Sequence, residues 1–166
     1  GALKPWNLEI FRKRLGESGM AGQADDFFKA SGKWMAQLYR AEMEMAFRTP
    51  GMACFQLLDL QDYPGQGTAL VGILDAFMDN KGLITAEEWK ESCDDVVLLA
   101  LLPKFCYSGN EALKGSIKVA NYTPTVLKGK QLTWTLTNGQ DQVIAQNNIP
   151  LLINQGTLAE VGPLNI

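Results

Sequence analysis

The sequence contains no histidine, and that absence excludes more chemistry than any single residue assigns. Without an imidazole there is no Ser-His or Cys-His nucleophile system, no His-ligated zinc, and no general base of the commonest kind near neutral pH. Catalysis within this chain would fall to carboxylates. Cysteine is scarce: Cys54, Cys93 and Cys106 are an odd number, form no CxxC pair and sit in apolar or mixed contexts, which reads as buried or free thiols. No metal and no other cofactor is implied. Basic runs are also lacking. Fifteen Lys and Arg against eighteen Asp and Glu give a net charge of -3, which leaves no electrostatic footprint for nucleic acid or an anionic membrane. The longest apolar stretch, Val96 to Pro103, is far short of the roughly 20 residues that cross a bilayer. No signal peptide is recognisable, and Gly1-Ala2 reads as a processing or cloning remnant, so the compartment is not written here. What is present, 46% hydrophobic residues over 166 positions, is the composition of one ordinary globular domain or of parts of two.

The first part reads as helix. Pro5 suits a first helical turn, Asn7 is a candidate N-cap, and Leu8, Phe11 and Leu15 keep the 3.6-residue spacing until Gly16 and Gly19 break it. From Gln23 to Arg48 a longer pattern runs through Phe27, Phe28, Trp34, Met35, Leu38, Tyr39, Met43 and Phe47, and Thr49-Pro50-Gly51 stops it. So wide an apolar face predicts a large covering surface. Ala53 to Leu60 is a continuous apolar run of strand length, with polar residues only toward its end, and it predicts a parallel strand buried on both faces. Asp62 to Gly67 is a Pro/Gly-rich loop, and Thr85-Ala86-Glu87-Glu88 is a capping-box start for a short helix to about Cys93.

After Pro103 the period falls to two, in Ser116–Asn121 and Leu132–Thr137, with turns expected at Lys128-Gly129 and Asn138-Gly139. This half predicts antiparallel β-structure of the immunoglobulin sandwich kind, with only four or five strands between Phe105 and Ile166. A lone parallel strand and a short sandwich both lack neighbours. The boundary between the halves is expected between Asp94 and Phe105.

In α/β layers the working residues project from the C-terminal ends of parallel strands and from the loops that follow. Here that place is Asp59 to Gly67. Asp59, Gln61, Asp62, Tyr63 and Gln66 combine carboxylates, amides and an aromatic ring, a set suited to bonding sugar hydroxyls and stacking on a sugar face. The plainer alternative is that Asp59 and Asp62 only tie down the loop backbone. They do not make a retaining glycosidase pair: three positions apart on a strand they point to opposite faces roughly 10 Å apart, against about 5 to 5.5 Å in such a pair. Glu42/Glu44 and Glu87/Glu88 read as solvated helix charges, and the four tryptophans, spread over helix and strand, as core or interface residues.

The stretch Ala24-Asp25-Asp26-Phe27 through Thr49-Pro50-Gly51, followed by Phe55-Gln56-Leu57-Leu58-Asp59-Leu60-Gln61-Asp62-Tyr63-Pro64-Gly65-Gln66-Gly67-Thr68, resembles the last part of the barrel in family 2 glycoside hydrolases, the β-galactosidase and β-glucuronidase group. Gly72 to Phe77 and Asp79 to Gly82 are similar to the final loop before the last barrel helix. The resemblance implies an α+β chain: residues 1–98 as the C-terminal segment of a (β/α)8 barrel, mostly helical with one buried parallel strand, and residues 99–166 as an incomplete immunoglobulin-like β-sandwich. It implies a parent enzyme that cleaves O-glycosidic bonds with two glutamates, both expected upstream of Gly1, so that no catalytic role falls on this chain and Asp59, Gln61, Asp62, Tyr63 and Gln66 line the active-site rim. At Leu58 the chain departs from the group, whose better-known members carry a tryptophan that helps form the sugar subsite. Carbohydrate is the implied ligand, with the rest of the parent barrel or another copy of the chain as protein partner. A polysaccharide-degrading parent would suit a periplasmic or extracellular address. Two other readings stand beside this one: a non-catalytic carbohydrate-binding or interaction module built on the β half, and a helical protein dimerising through Met43, Met45 and Phe47.

Overall fold

The computed structural model describes residues 3–66 and 70–166. Gly1-Ala2, and Gly67 and Thr68 of the loop motif, lie outside the described residues. The chain divides into two compact units, one built from the chain up to Met43 and from Ala53–Lys90, the other from Glu44–Met52 and Glu91–Ile166.

The first unit holds helix α1 (Trp6–Glu17), a 3-10 turn (Ala21–Gln23), most of helix α2 (Ala24–Arg48) and the short helix α3 (Ala86–Lys90). Pro5 occupies the N-cap position of α1, so Asn7, expected to cap, lies inside the helix instead, and no side chain caps this end. α2 begins one residue after the expected start and ends at Arg48, where Pro50 has no N–H to continue the ladder. Its apolar face is largely uncovered: Phe27, Phe28, Trp34 and Leu38 are exposed, and only Gly32, Ala36 and Met43 are buried in the helix. The small residues decide this, because the buried side chain of Leu83 sits directly over Gly32. Met43 is buried while Met45 is exposed, so the expected Met43/Met45/Phe47 stripe is not one continuous surface.

The expected fold, a mostly helical barrel segment with one buried parallel strand, is not what forms. The described chain is mostly antiparallel β-sheet with one long helix, and Ala53–Leu60 pairs with no strand. Leu58 is 76% exposed and Phe55 and Leu60 are exposed as well. A mostly apolar run of eight residues, six of them apolar, specifies extended backbone, but a parallel strand is completed only by neighbours on both edges. The single local substitute is a parallel bridge between Gln61 and Leu74, continued by an antiparallel bridge from Leu74 to Asn80.

The second unit is β-structure: β1 (Val96–Leu101), β2 (Lys114–Asn121), β3 (Leu127–Thr137), β4 (Val143–Ile153) and β5 (Thr157–Asn165). β2 pairs antiparallel with β1 on one side and β5 on the other, while β3 and β4 form a separate hairpin. Alternation along β2 supplies both faces. Ile117 and Val119 pack against Leu132, Leu151 and Ile153 of the hairpin, and Ala120 joins Val97 and Leu99 on the opposite face beneath Phe47. The outcome is sandwich-like in part. The strands expected at Ser116–Asn121 and Leu132–Thr137 are present, and Asn138-Gly139 turns the hairpin, with the Asn138 side-chain oxygen accepting from Gln140 N at 2.9 Å and Gln142 N at 3.0 Å. Lys128-Gly129 is not a turn. It lies within β3 at a register shift, and Gly129 there has φ 72°, which a side chain would resist.

Asn121 joins the two sheets from a fully buried position. Its amide nitrogen lies within hydrogen-bond distance of the carbonyl oxygens of Thr125, Ile153 and Asn154 at 3.0, 3.3 and 3.2 Å, and its oxygen accepts from Thr123 N and Oγ1. Nearby, Arg48 donates to Glu44 Oε2 at 2.6 Å and to Ala100 O at 3.2 Å, so Glu44 has a specific partner rather than a purely solvated role.

Candidate functional site

The residues from Asp59 to Gln66 form a loop closed onto Gly72–Lys81 by one buried carboxylate. Asp62 is buried, and its Oδ1 accepts from Gly72 N at 2.8 Å and from Lys81 Nζ at 2.7 Å. Lys81 also donates to Gly72 O at 2.9 Å. The side chains of this ion pair are 11% and 15% exposed, so the charges are mostly withdrawn from water and each satisfies the other. Gly72 is required by proximity: a Cβ there would collide with the Gln61 and Asp62 backbone. Backbone bonds from Asp62 N to Leu74 O and from Leu74 N to Leu60 O lock the same crossing. Asp62 therefore takes the backbone-tying role weighed for it above.

The neighbours of Asp62 point the other way. Gln61 and Tyr63 are exposed on either side of it, and Gln66 is exposed at the turn that its N–H closes onto Tyr63 O at 3.3 Å. The Tyr63 ring lies over Gly65, where a Cβ would meet it. Asp59 is half-buried with φ 62°, a left-handed conformation that kinks the chain at the mouth of the loop. Of Asp59 and Asp62, it is Asp62 whose carboxylate is engaged, by Lys81 and Gly72.

Two residues that the sequence reading assigned to the apolar helix face and to the core or an interface belong to this neighbourhood. Tyr39, half-buried on α2, has its pKa raised from its ordinary value first by burial, then by the negative charges of Asp59 and Glu42. Its ring meets Trp89 of α3 edge-on, with centroids 6.5 Å apart and planes at 61°. Trp89 is held there by the expected capping box, in which Thr85 N donates to Glu88 Oε2 at 2.8 Å and Glu88 N to Thr85 Oγ1 at 3.1 Å, although α3 ends at Lys90 rather than near Cys93. Lys81 and Tyr39 lie about twenty residues from their partners in the loop, too far for periodicity or local spacing to connect them; a lone basic residue after Asp79-Asn80 was the one visible hint.

Cys54 and Cys106 are exposed and Cys93 is half-buried, so none of the thiols is deeply buried. Among the described residues no group of three or more His, Cys, Asp and Glu is placed to hold a metal ion, and no helix is long and apolar enough to cross a membrane. Over residues 111–166, which contain β2 to β5, the chain is similar to a family described as "Domain of unknown function (DUF8488)". No curated protein matches the chain.

Proposed function

We propose that this chain is one segment of a glycoside hydrolase of the family 2 kind, contributing a sugar-contacting rim loop and accessory β-structure to an enzyme that cleaves O-glycosidic bonds in oligo- or polysaccharides. The observation that carries the reading is the loop itself: a buried Asp62–Lys81 pair anchors the backbone while Gln61, Tyr63 and Gln66 stand exposed around it. A rigid base with an aromatic face and amides at its surface suits a polyol, whose C–H face stacks and whose hydroxyls need donors and acceptors. The Asp62 carboxylate is engaged by Lys81 and Gly72, which agrees with a supporting role. The uncovered apolar residues of α1 and α2 fit a partner surface supplied by the rest of such an enzyme or by another copy of the chain.

The test is a titration of this chain with a panel of β-linked oligosaccharides, followed by amide chemical shifts, beside turnover of chromogenic α- and β-glycosides. Saturable shifts at Gln61, Tyr63 and Gln66, lost in Tyr63→Ala, with no turnover, are the expected result. Turnover by this chain alone, or an absence of saturable shifts at the loop at millimolar sugar, would overturn the reading.

A further inference from the structure

The first unit also holds a cavity of about 310 Å³, walled by Leu60, Ile73, Leu74, Ile84 and Trp89. Its size is at the lower edge of ligand pockets, which span about 300–1,000 Å³. Since a dry cavity of about 150 Å³ accepts benzene, twice that volume admits a fused bicyclic ring or a ring with a short arm. The lining decides the ligand's chemistry. Asn80 and Thr85 border the cavity, but both side chains already serve their own turn: Asn80 Nδ2 donates to Ile84 O at 3.0 Å, its Oδ1 accepts from Gly82 N at 2.7 Å, and Thr85 Oγ1 accepts from Glu88 N. A sugar would find few partners here. One wall is aromatic, with the Trp89 ring steadied by Tyr39. The remaining polar group is Lys90, the single charged residue among those that line the cavity and one with no ion-pair partner among the described residues.

We propose that this cavity is a binding site for a small aromatic carboxylate, its ring against Trp89, Ile73 and Ile84 and its carboxylate on the Lys90 ammonium. The apolar wall supplies affinity in proportion to the ring area buried, and the lysine selects an anion over a neutral or cationic analogue. This site is distinct in chemistry from the sugar-contacting loop, so either can fail without the other.

The experiment titrates the chain with 2-naphthoate and, separately, with neutral 2-naphthalenemethanol, reading the Trp89 indole N–H and the Ile73 and Ile84 methyl resonances, with Val119 methyls as a control for the fold. The expected result is saturable shifts at all three lining residues with both probes and tighter binding of the anion. In Lys90→Gln, an exposed substitution that leaves the core untouched, naphthoate affinity falls about three- to fivefold, as for a solvent-facing ion pair, while the alcohol binds unchanged. An absence of saturable shifts at millimolar probe, shifts confined to the exposed apolar residues of α1 and α2, or an equal loss of both probes in Lys90→Gln would each overturn the assignment.

Discussion

In the β unit Val97, Leu99 and Val119 are fully withdrawn from solvent, whereas in the helix-and-loop unit Trp6, Phe11, Phe28 and Trp34 keep more than half of their surface exposed. Both regions are rich in apolar residues. The difference lies in where their partners come from. A strand with period two finds its facing layer in the next strands of the same stretch of chain, as Ile117 and Val119 do in Leu132, Leu151 and Ile153. A helix has no such local complement, and α1 buries no residue at all. The first unit is held instead by specific polar ties, above all Asp62 with Lys81 and Gly72, and by close approaches at Gly32 and Gly72. One unit is stabilised by area, the other by a few fixed contacts.

That contrast can be broken most forcefully in the β core. Leu99→Ala removes a side chain with no solvent exposure and is expected to cost about 3–4 kcal/mol, read by chemical denaturation followed through β-unit amide exchange. A cost below 1 kcal/mol would mean that the sheets are not the better-packed unit. Next comes Asn121→Ala, which leaves the Thr125, Ile153 and Asn154 carbonyls without their shared donor; a loss of about 2–3 kcal/mol is expected, with faster exchange across both sheets.

In the other unit the matching experiment is Asp62→Ala, which strands the Lys81 ammonium in a mostly buried place. A loss of about 2 kcal/mol is expected, after allowance for residual solvent, confined to the loop and read as faster exchange of the Gly72 amide. Should β-unit amides respond equally, the two units are not separable in stability. A smaller effect is expected from pH. Because the Tyr39 phenol is raised above its ordinary value of about 10, the folded chain holds that proton more tightly than the unfolded chain. Its contribution is therefore complete below pH about 10 and is lost as pH rises through the folded value, and Tyr39→Phe should flatten that alkaline slope in thermal melts. Asp59→Asn should move the tyrosinate absorbance titration of Tyr39 toward the ordinary value. Least of all, Leu58→Ser should change stability by no more than about 0.5 kcal/mol, because Leu58 already faces solvent.

Much of the local architecture was legible. The capping box at Thr85/Glu88, the end of α2 before Pro50, the alternating strands and the Asn138-Gly139 turn each depend on residues within a few positions of one another. The run Ala53–Leu60 misled for the same reason: its local pattern is that of a buried strand, but burial requires neighbours that the run cannot encode. Lys128-Gly129 carries turn chemistry that the long pairing of β3 with β4 absorbs as a bulge. Of the candidate site, the exposed set Gln61, Tyr63 and Gln66 could be named from composition, while the burial of Asp62 could not, because its partner is nineteen residues away.

Composition alone excluded imidazole chemistry and a bilayer-length apolar run, and period alone separated helix from strand, since these properties reside in residue type and short spacing. Only the tertiary structure decided that Asp62 is buried against Lys81 and Gly72, that Asn121 ties two sheets together, and that Trp89 and Lys90 border a cavity. Each of those outcomes depends on which distant side chains displace water from a given atom, and that displacement is a property of the folded chain.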